Sequence, residues 1–96
     1  MIVTLSDAEI GEALATLPEW THDLERRALH RRVALADFPA AMAFMMRVAF
    51  AAQAMNHHPE WTNVYNRIDI WLTTHDAGGI TAYDVSLAQR IDGLLA

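Results

Sequence analysis

No cysteine and no lysine occur among the 96 residues. The missing thiol removes a cysteine nucleophile, a disulfide framework, a Cys-based zinc site and an iron–sulfur cluster. The missing amine removes Schiff-base chemistry, a pyridoxal attachment point and a phosphate-cradling P-loop. Positive charge is scarce as well: the 7 basic residues are all arginine, against 12 Asp and Glu, for a formal net charge of −5. That balance argues against a general nucleic-acid binder, which needs a basic face. Glycine and proline number only 4 and 3 and nowhere gather into a linker, and no repeat is visible. One domain over residues 1–96 is the expectation. The opening Met-Ile-Val-Thr-Leu-Ser-Asp lacks the positive segment and the apolar run of an export signal, so the expected location is cytoplasmic.

What is present for chemistry is 5 His, the carboxylates and the hydroxyls of Ser, Thr and Tyr. At 53% hydrophobic and 20% charged, the chain is globular. So short a chain buries only about 60–65% of its unfolded surface. Its apolar content therefore predicts that part of the surface is covered by another subunit.

Ser6 and Glu9 form a capping-box pattern, and Ile10, Leu14 and Leu17 share a helical face up to Pro18, which predicts a helix over 7–17. From Trp20 the period becomes two. Leu29, Val33 and Leu35 alternate with His30, Arg32 and Ala34 as a strand, with the Trp20 segment as its hairpin partner. Arg31 falls on the apolar side of that strand, against the pattern. Asp37 is the candidate N-cap of the main helix, with Pro39 tolerated in its first turn. Ala40 to Met55 is apolar almost all round, broken only by Arg47 and Gln53. The run is short for a bilayer and carries a mid-span Arg, so no membrane partner is expected; burial between sheet and subunit is.

After Pro59 the alternation of Val64, Ile68, Ile70 and Leu72 predicts one long strand over 62–74, kinked near Asn66. A loop through Gly78-Gly79 follows, and then a second capping box, Thr81 to Asp84. It opens a last amphipathic helix with Val85, Leu87, Ala88, Ile91, Leu94 and Leu95 inward. The order helix, strands, helix, strand, helix lacks βαβ alternation. It points to an α+β fold, an antiparallel sheet with helices on one face.

Two polar clusters resist a packing explanation: Asn56-His57-His58-Pro59 after the main helix, and Thr74-His75-Asp76 after the long strand. Both sit where a packed scaffold holds the backbone and side chains emerge at its rim. Exposed carbonyls at the helix terminus favour an imidazolium there, which suits a proton donor. A third imidazole on another segment could act as base, so the inferred reaction class is proton transfer: dehydration, hydration or tautomerisation. The competing account is a His-His pair that merely caps the helix. No metal is expected, because adjacent His rings diverge and the i, i+4 ligand spacing is absent. His22 and His30 read as surface or interface residues. Trp20, Trp61 and Trp71 read as core or interface aromatics, with a pocket wall as the alternative for one of them. Arg26, Arg27, Arg31 and Arg32 read as a solvated strand edge.

At these residues the chain resembles a known family. His57-His58-Pro59-Glu60-Trp61, Asn63-Val64-Tyr65-Asn66, Leu72-Thr73-Thr74-His75-Asp76-Ala77-Gly78-Gly79 and Asp84 with Leu87-Ala88 are similar to the pterin-4a-carbinolamine dehydratases. Trp20, Asp37-Phe38 and Arg47-Val48-Ala49 extend the resemblance over nearly the whole chain. It implies a dehydratase that turns 4a-hydroxytetrahydropterin into quinonoid dihydropterin during tetrahydropterin recycling, with no cofactor and no metal. His57, His58 and His75 match the family's catalytic histidines, and Asn56, Thr73, Thr74 and Asp76 join them at substrate-binding positions. A protonated His would serve the C4a hydroxyl and a neutral one N5, with His57 and His75 both open as the acid. Gln53 departs from the family, which usually places an ionisable residue there. The resemblance further implies a four-stranded antiparallel sheet with three helices on one face, a turn near Asn66 that divides the 62–74 stretch, and a homodimer or homotetramer. A protein-interaction module on the same fold is the alternative function.

Overall fold

Each helix begins where a side chain reaches back to its first free N–H groups. Residues 2–96 are described by a computed structural model. In helix α1 (Asp7–Ala15), Ser6 Oγ accepts from the Glu9 N–H at 3.1 Å and Glu9 Oε1 accepts from the Ser6 N–H at 2.8 Å. The helix stops short of the expected Leu17 because Thr16 and Leu17 tighten into i−3 bonds to Ala13 and Leu14 ahead of Pro18. Helix α2 (Phe38–Met55) is capped by Asp37, whose carboxylate accepts from the Ala40 N–H at 2.8 Å. Helix α3 (Ala82–Leu95) opens on the Thr81–Asp84 capping box.

The strands β1 (Thr21–Asp23), β2 (Ala28–Ala34), β3 (Glu60–Val64) and β4 (Arg67–Leu72) form one sheet in the order β1-β2-β4-β3, every neighbouring pair antiparallel. The expected strand over 62–74 is therefore two. The chain reverses at Tyr65-Asn66, where Tyr65 takes φ +53°. Side chains replace glycine as the organiser of this turn. Asn63 donates to the carbonyls of Tyr65 and Arg67, and Asn66 donates to that of Leu35.

Register decides the faces. Leu29 lies opposite Leu72 and Val33 opposite Ile68. With Ile70 they form the covered side, packed on Ile10 of α1, Phe44 and Val48 of α2, and Leu87 and Ile91 of α3. The fold is thus a four-stranded antiparallel sheet with three helices. Truncating a fully buried aromatic such as Phe44 to alanine in a core of this kind costs about 3–5 kcal/mol.

Arg31 does point toward that covered side, and α3 supplies the reason. Its Nη1 donates to Asp92 Oδ1 at 2.5 Å, and the Trp20 indole donates to the same oxygen at 2.8 Å. The solvated-edge reading of the arginines fails for it, and β2 is a central strand in any case. Arg32 faces the open side, where its guanidinium makes a two-pronged bond to Asp69 and His30 makes a third at 2.8 Å. Trp71 lies on that open side too, between His30 (ring centroids 4.9 Å apart) and the Arg26 guanidinium 3.7 Å from its centroid.

Helix α2 is long and apolar enough, by length and composition, to cross a membrane. Ala41, Phe44, Val48, Ala51 and Ala52 instead lie buried within the domain. Its other side leaves Phe38, Met42, Met46 and Phe50 exposed at a spacing of one turn.

Candidate active site

Helix α2 ends by turning sharply. Asn56 takes the left-handed conformation at φ 52°, ψ 41°, which asparagine tolerates better than most residues. The Asn56 N–H donates to Gln53 O and the His57 N–H to Ala52 O, so the helix's last carbonyls are satisfied by the residues that leave it. This turn throws His57 and His58 toward the end of β4.

Across from them, the chain beyond β4 closes a small loop. Thr74 and Gly79 form a two-residue bridge around a 3₁₀ turn at His75–Ala77, and Gly78 holds φ +81°. The Thr73 hydroxyl donates to the Arg27 carbonyl at 2.8 Å and ties the loop to the β1–β2 turn. Asn56, His57, His58, Thr73, Thr74, His75 and Asp76 together line one cavity of about 240 Å³. Residues from two separate segments thus meet around a shared concavity. None of the three tryptophans lines it.

The histidines are held in different ways. His57 Nε2 sits 2.5 Å from Asp84 Oδ1, and the Asp84 side chain is wholly buried. Asp84 Oδ2 accepts from the Thr74 hydroxyl at 2.9 Å and the Thr81 N–H at 2.8 Å. An ionised carboxylate only accepts, so in that state Nε2 of His57 carries the hydrogen and Nδ1 remains open. The Tyr83 ring of α3 stands 5.8 Å from the His57 ring, tilted 33° to it. His58 Nε2 donates to Gln53 Oε1 at 2.9 Å in an exposed contact. Gln53 thus serves His58, where a carboxylate would have formed an ion pair. His75 Nε2 lies 2.5 Å from Glu60 Oε2, with both groups open to water.

Asp84 and Glu60 were not among the expected site residues. From local spacing Asp84 is legible only as a helix cap, and its second bond, to His57, depends on how α3 docks against the end of α2. Glu60 follows the His57-His58-Pro59 run directly, but its pairing with His75 needs β3 beside β4. Thr74, expected to meet a ligand, lines the cavity, and its hydroxyl also bonds to Thr81 and Asp84. Among the described residues no cluster of three or more His, Asp or Glu is disposed to hold a metal ion.

Three comparisons bear on this arrangement. A family model described as pterin 4 alpha carbinolamine dehydratase matches residues 3–94. A Burkholderia orbicola protein assigned as a pterin-4-alpha-carbinolamine dehydratase is 54% identical over 96 residues, covering 100% of this chain and 94% of its own length. One from Rhizorhabdus wittichii with the same assignment is 52% identical over 93 residues, 97% of this chain and 96% of that one. The crystal structure of a transcriptional coactivator/pterin dehydratase from Brucella melitensis superposes with a TM-score of 0.93 at 36% identity, covering 97% of this chain and 99% of the other.

Proposed function

The chain belongs to the pterin 4 alpha carbinolamine dehydratase family, and from that premise we propose that it removes water from 4a-hydroxytetrahydropterins by histidine acid–base catalysis. The product is a quinonoid dihydropterin, so the role is in tetrahydropterin recycling, within the cytoplasm. The observation that carries this reading is the meeting of His57, His58 and His75, from two segments, around one cavity.

The reaction breaks the C4a–O bond while a proton goes to the departing hydroxyl, which leaves as water. The N5 lone pair forms the C4a=N5 bond, and N5 gives up its proton. One imidazolium supplies the first proton and one neutral imidazole takes the second, so the two must reach the same bicyclic ring from different directions. Histidines on the α2 terminus and on the 3₁₀ turn are placed for that division of labour. Asp84 is a positioning residue: it fixes the His57 ring and leaves Nδ1 free for the substrate. The Asn56 amide, the Thr73 hydroxyl and the Asp76 carboxylate supply donors and acceptors to orient the pterin. The chemistry calls for no metal and no cofactor.

Stopped-flow measurement of carbinolamine dehydration at about pH 8.5 tests the reading. Wild type is expected to accelerate the reaction, and His57→Ala and His75→Ala each to lose about 10²–10⁴-fold of the catalysed rate while remaining folded by circular dichroism. Wild type no faster than either variant would sink the enzyme and leave an interaction module on the same fold.

We also infer that the chain works as a homodimer or homotetramer that covers the Phe38, Met42, Met46 and Phe50 stripe of α2. Four large apolar side chains in a row are costly to leave in water, roughly 25 cal/mol for each Å² exposed. Met46→Glu with Phe50→Glu is expected to lower the assembly state in sedimentation while the domain stays folded, and an unchanged sedimentation coefficient would refute it.

A further inference from the structure

We propose that a second cavity beside the first holds an anionic group, phosphate or carboxylate, at the end of the pterin's side chain. The inference rests on the dehydratase reading and extends it to substrate choice. The second cavity measures about 390 Å³ and is lined by Arg26, Arg27, Glu60, Thr73, His75, Gly78 and Gly79. Thr73 and His75 are walls of both cavities, so a ring lying against the histidines has this space next to it.

Size and charge agree. The first cavity, at about 240 Å³, falls below the roughly 300–1,000 Å³ of sites that enclose a whole small molecule, so it leaves room for a ring but little for a substituent, and the second cavity adjoins it. A third cavity, lined in part by Met55, Asn56, His57 and Tyr83, also adjoins the histidines but brings no arginine. The second brings two guanidiniums. Its one carboxylate, Glu60, is engaged by His75. Asp23, which lies near Arg26, accepts from the Arg26 backbone N–H and the Trp71 indole. Among the described residues neither the Arg26 nor the Arg27 guanidinium belongs to an ion pair or a side-chain hydrogen bond. In a chain of net charge −5, this cavity thus gathers two exposed guanidiniums, one of them beside the Asp23 carboxylate, and offers an incoming anion two cationic donors.

The arginines are also held in place. The Arg26 guanidinium carbon stands over the Trp71 ring, 3.7 Å from its centroid. Arg27 sits at φ 53°, and its carbonyl receives the Thr73 hydroxyl, so the loop that presents both guanidiniums is bonded to the wall between the cavities. Such preorganisation reduces the cost of fixing a flexible chain end.

Equilibrium binding by fluorescence tests this with three 7,8-dihydropterins whose side chains are equal in length and end in hydroxyl, carboxylate or phosphate. For wild type at low salt, the phosphate ligand is expected to bind about tenfold tighter than the hydroxyl ligand, with the carboxylate between them. Arg26→Gln with Arg27→Asn, the asparagine chosen because it tolerates positive φ, should bring that ratio to about one. The hydroxyl ligand's affinity and turnover of a neutral carbinolamine should not change. Raising the salt to 1 M should shrink the wild-type preference. Equal affinity for all three ligands in wild type, or a preference that survives the double substitution, overturns the inference and leaves the dehydratase reading standing. Failure of every ligand to bind removes both.

Discussion

Two imidazoles at the rim of this molecule each meet a carboxylate at 2.5 Å, and only their surroundings differ. The His57 and Asp84 side chains are 12% and 0% exposed; those of His75 and Glu60 are 78% and 43% exposed. In the first pair the carboxylate has two more fixed donors, the Thr74 hydroxyl and the Thr81 N–H, and no water to replace any of them. In the second, water competes for every lone pair and salt screens the attraction. Equal distances therefore carry unequal consequences. The buried pair fixes the orientation of His57, while water and salt weaken the hold of Glu60 on His75.

The sharpest way to break this comparison is to remove one charge from each pair. Asp84→Asn puts an amide N–H₂ where an acceptor stood, so either the Thr81 N–H loses its acceptor or the His57 ring must change tautomer to accept. We expect a loss of about 2–4 kcal/mol in urea unfolding. We also expect about a hundredfold fall in kcat as the His57 ring loses its fixed tautomer. Glu60→Gln should leave the unfolding midpoint unchanged and lower kcat less than about threefold near 0.15 M salt, with the gap closing by 1 M. Equal effects from the two substitutions would mean that burial is not what separates the histidines.

The same contrast marks how far the sequence could be read. Caps announce themselves locally: Ser6 with Glu9, Asp37, and Thr81 with Asp84 all act as their spacing predicts. The alternation of β2 and β4 was legible for the same reason, since it depends on near neighbours, whereas the meeting of the two His-bearing segments was implied only by the family resemblance. The turn at Tyr65-Asn66 was not legible from alternation alone. It has no glycine or proline, and it keeps apolar residues at even spacing across the reversal, so Val64 reads as a companion of Ile68 when it faces the open side beside Arg67. The destination of Arg31 and the second role of Asp84 were hidden for a different reason. Each is decided by where α3 docks, Asp92 under one end and Asp84 under the other. Long-range partners leave no local trace.

A third carboxylate tests whether exposure grades the effect continuously. Asp69, on the open side of the sheet, is 17% exposed and accepts from His30 and from Arg32, the latter itself 60% exposed. The Arg32 guanidinium first, with His30 adding to it, holds the Asp69 carboxyl below the usual carboxylate range. A carboxyl whose folded value is lowered binds fewer protons in the folded state than in the unfolded one. Its stabilisation is therefore complete above the unfolded value, about pH 4, and is lost as pH falls through the lower folded value. Asp69→Asn should then cost under about 1 kcal/mol at pH 7, less than Asp84→Asn and more than Glu60→Gln. In urea unfolding at stepped pH, the wild-type advantage should hold from pH 7 down to about pH 4 and shrink below it. An advantage undiminished in strong acid would show that the residue contributes by something other than its charge, and the grading by exposure would fail.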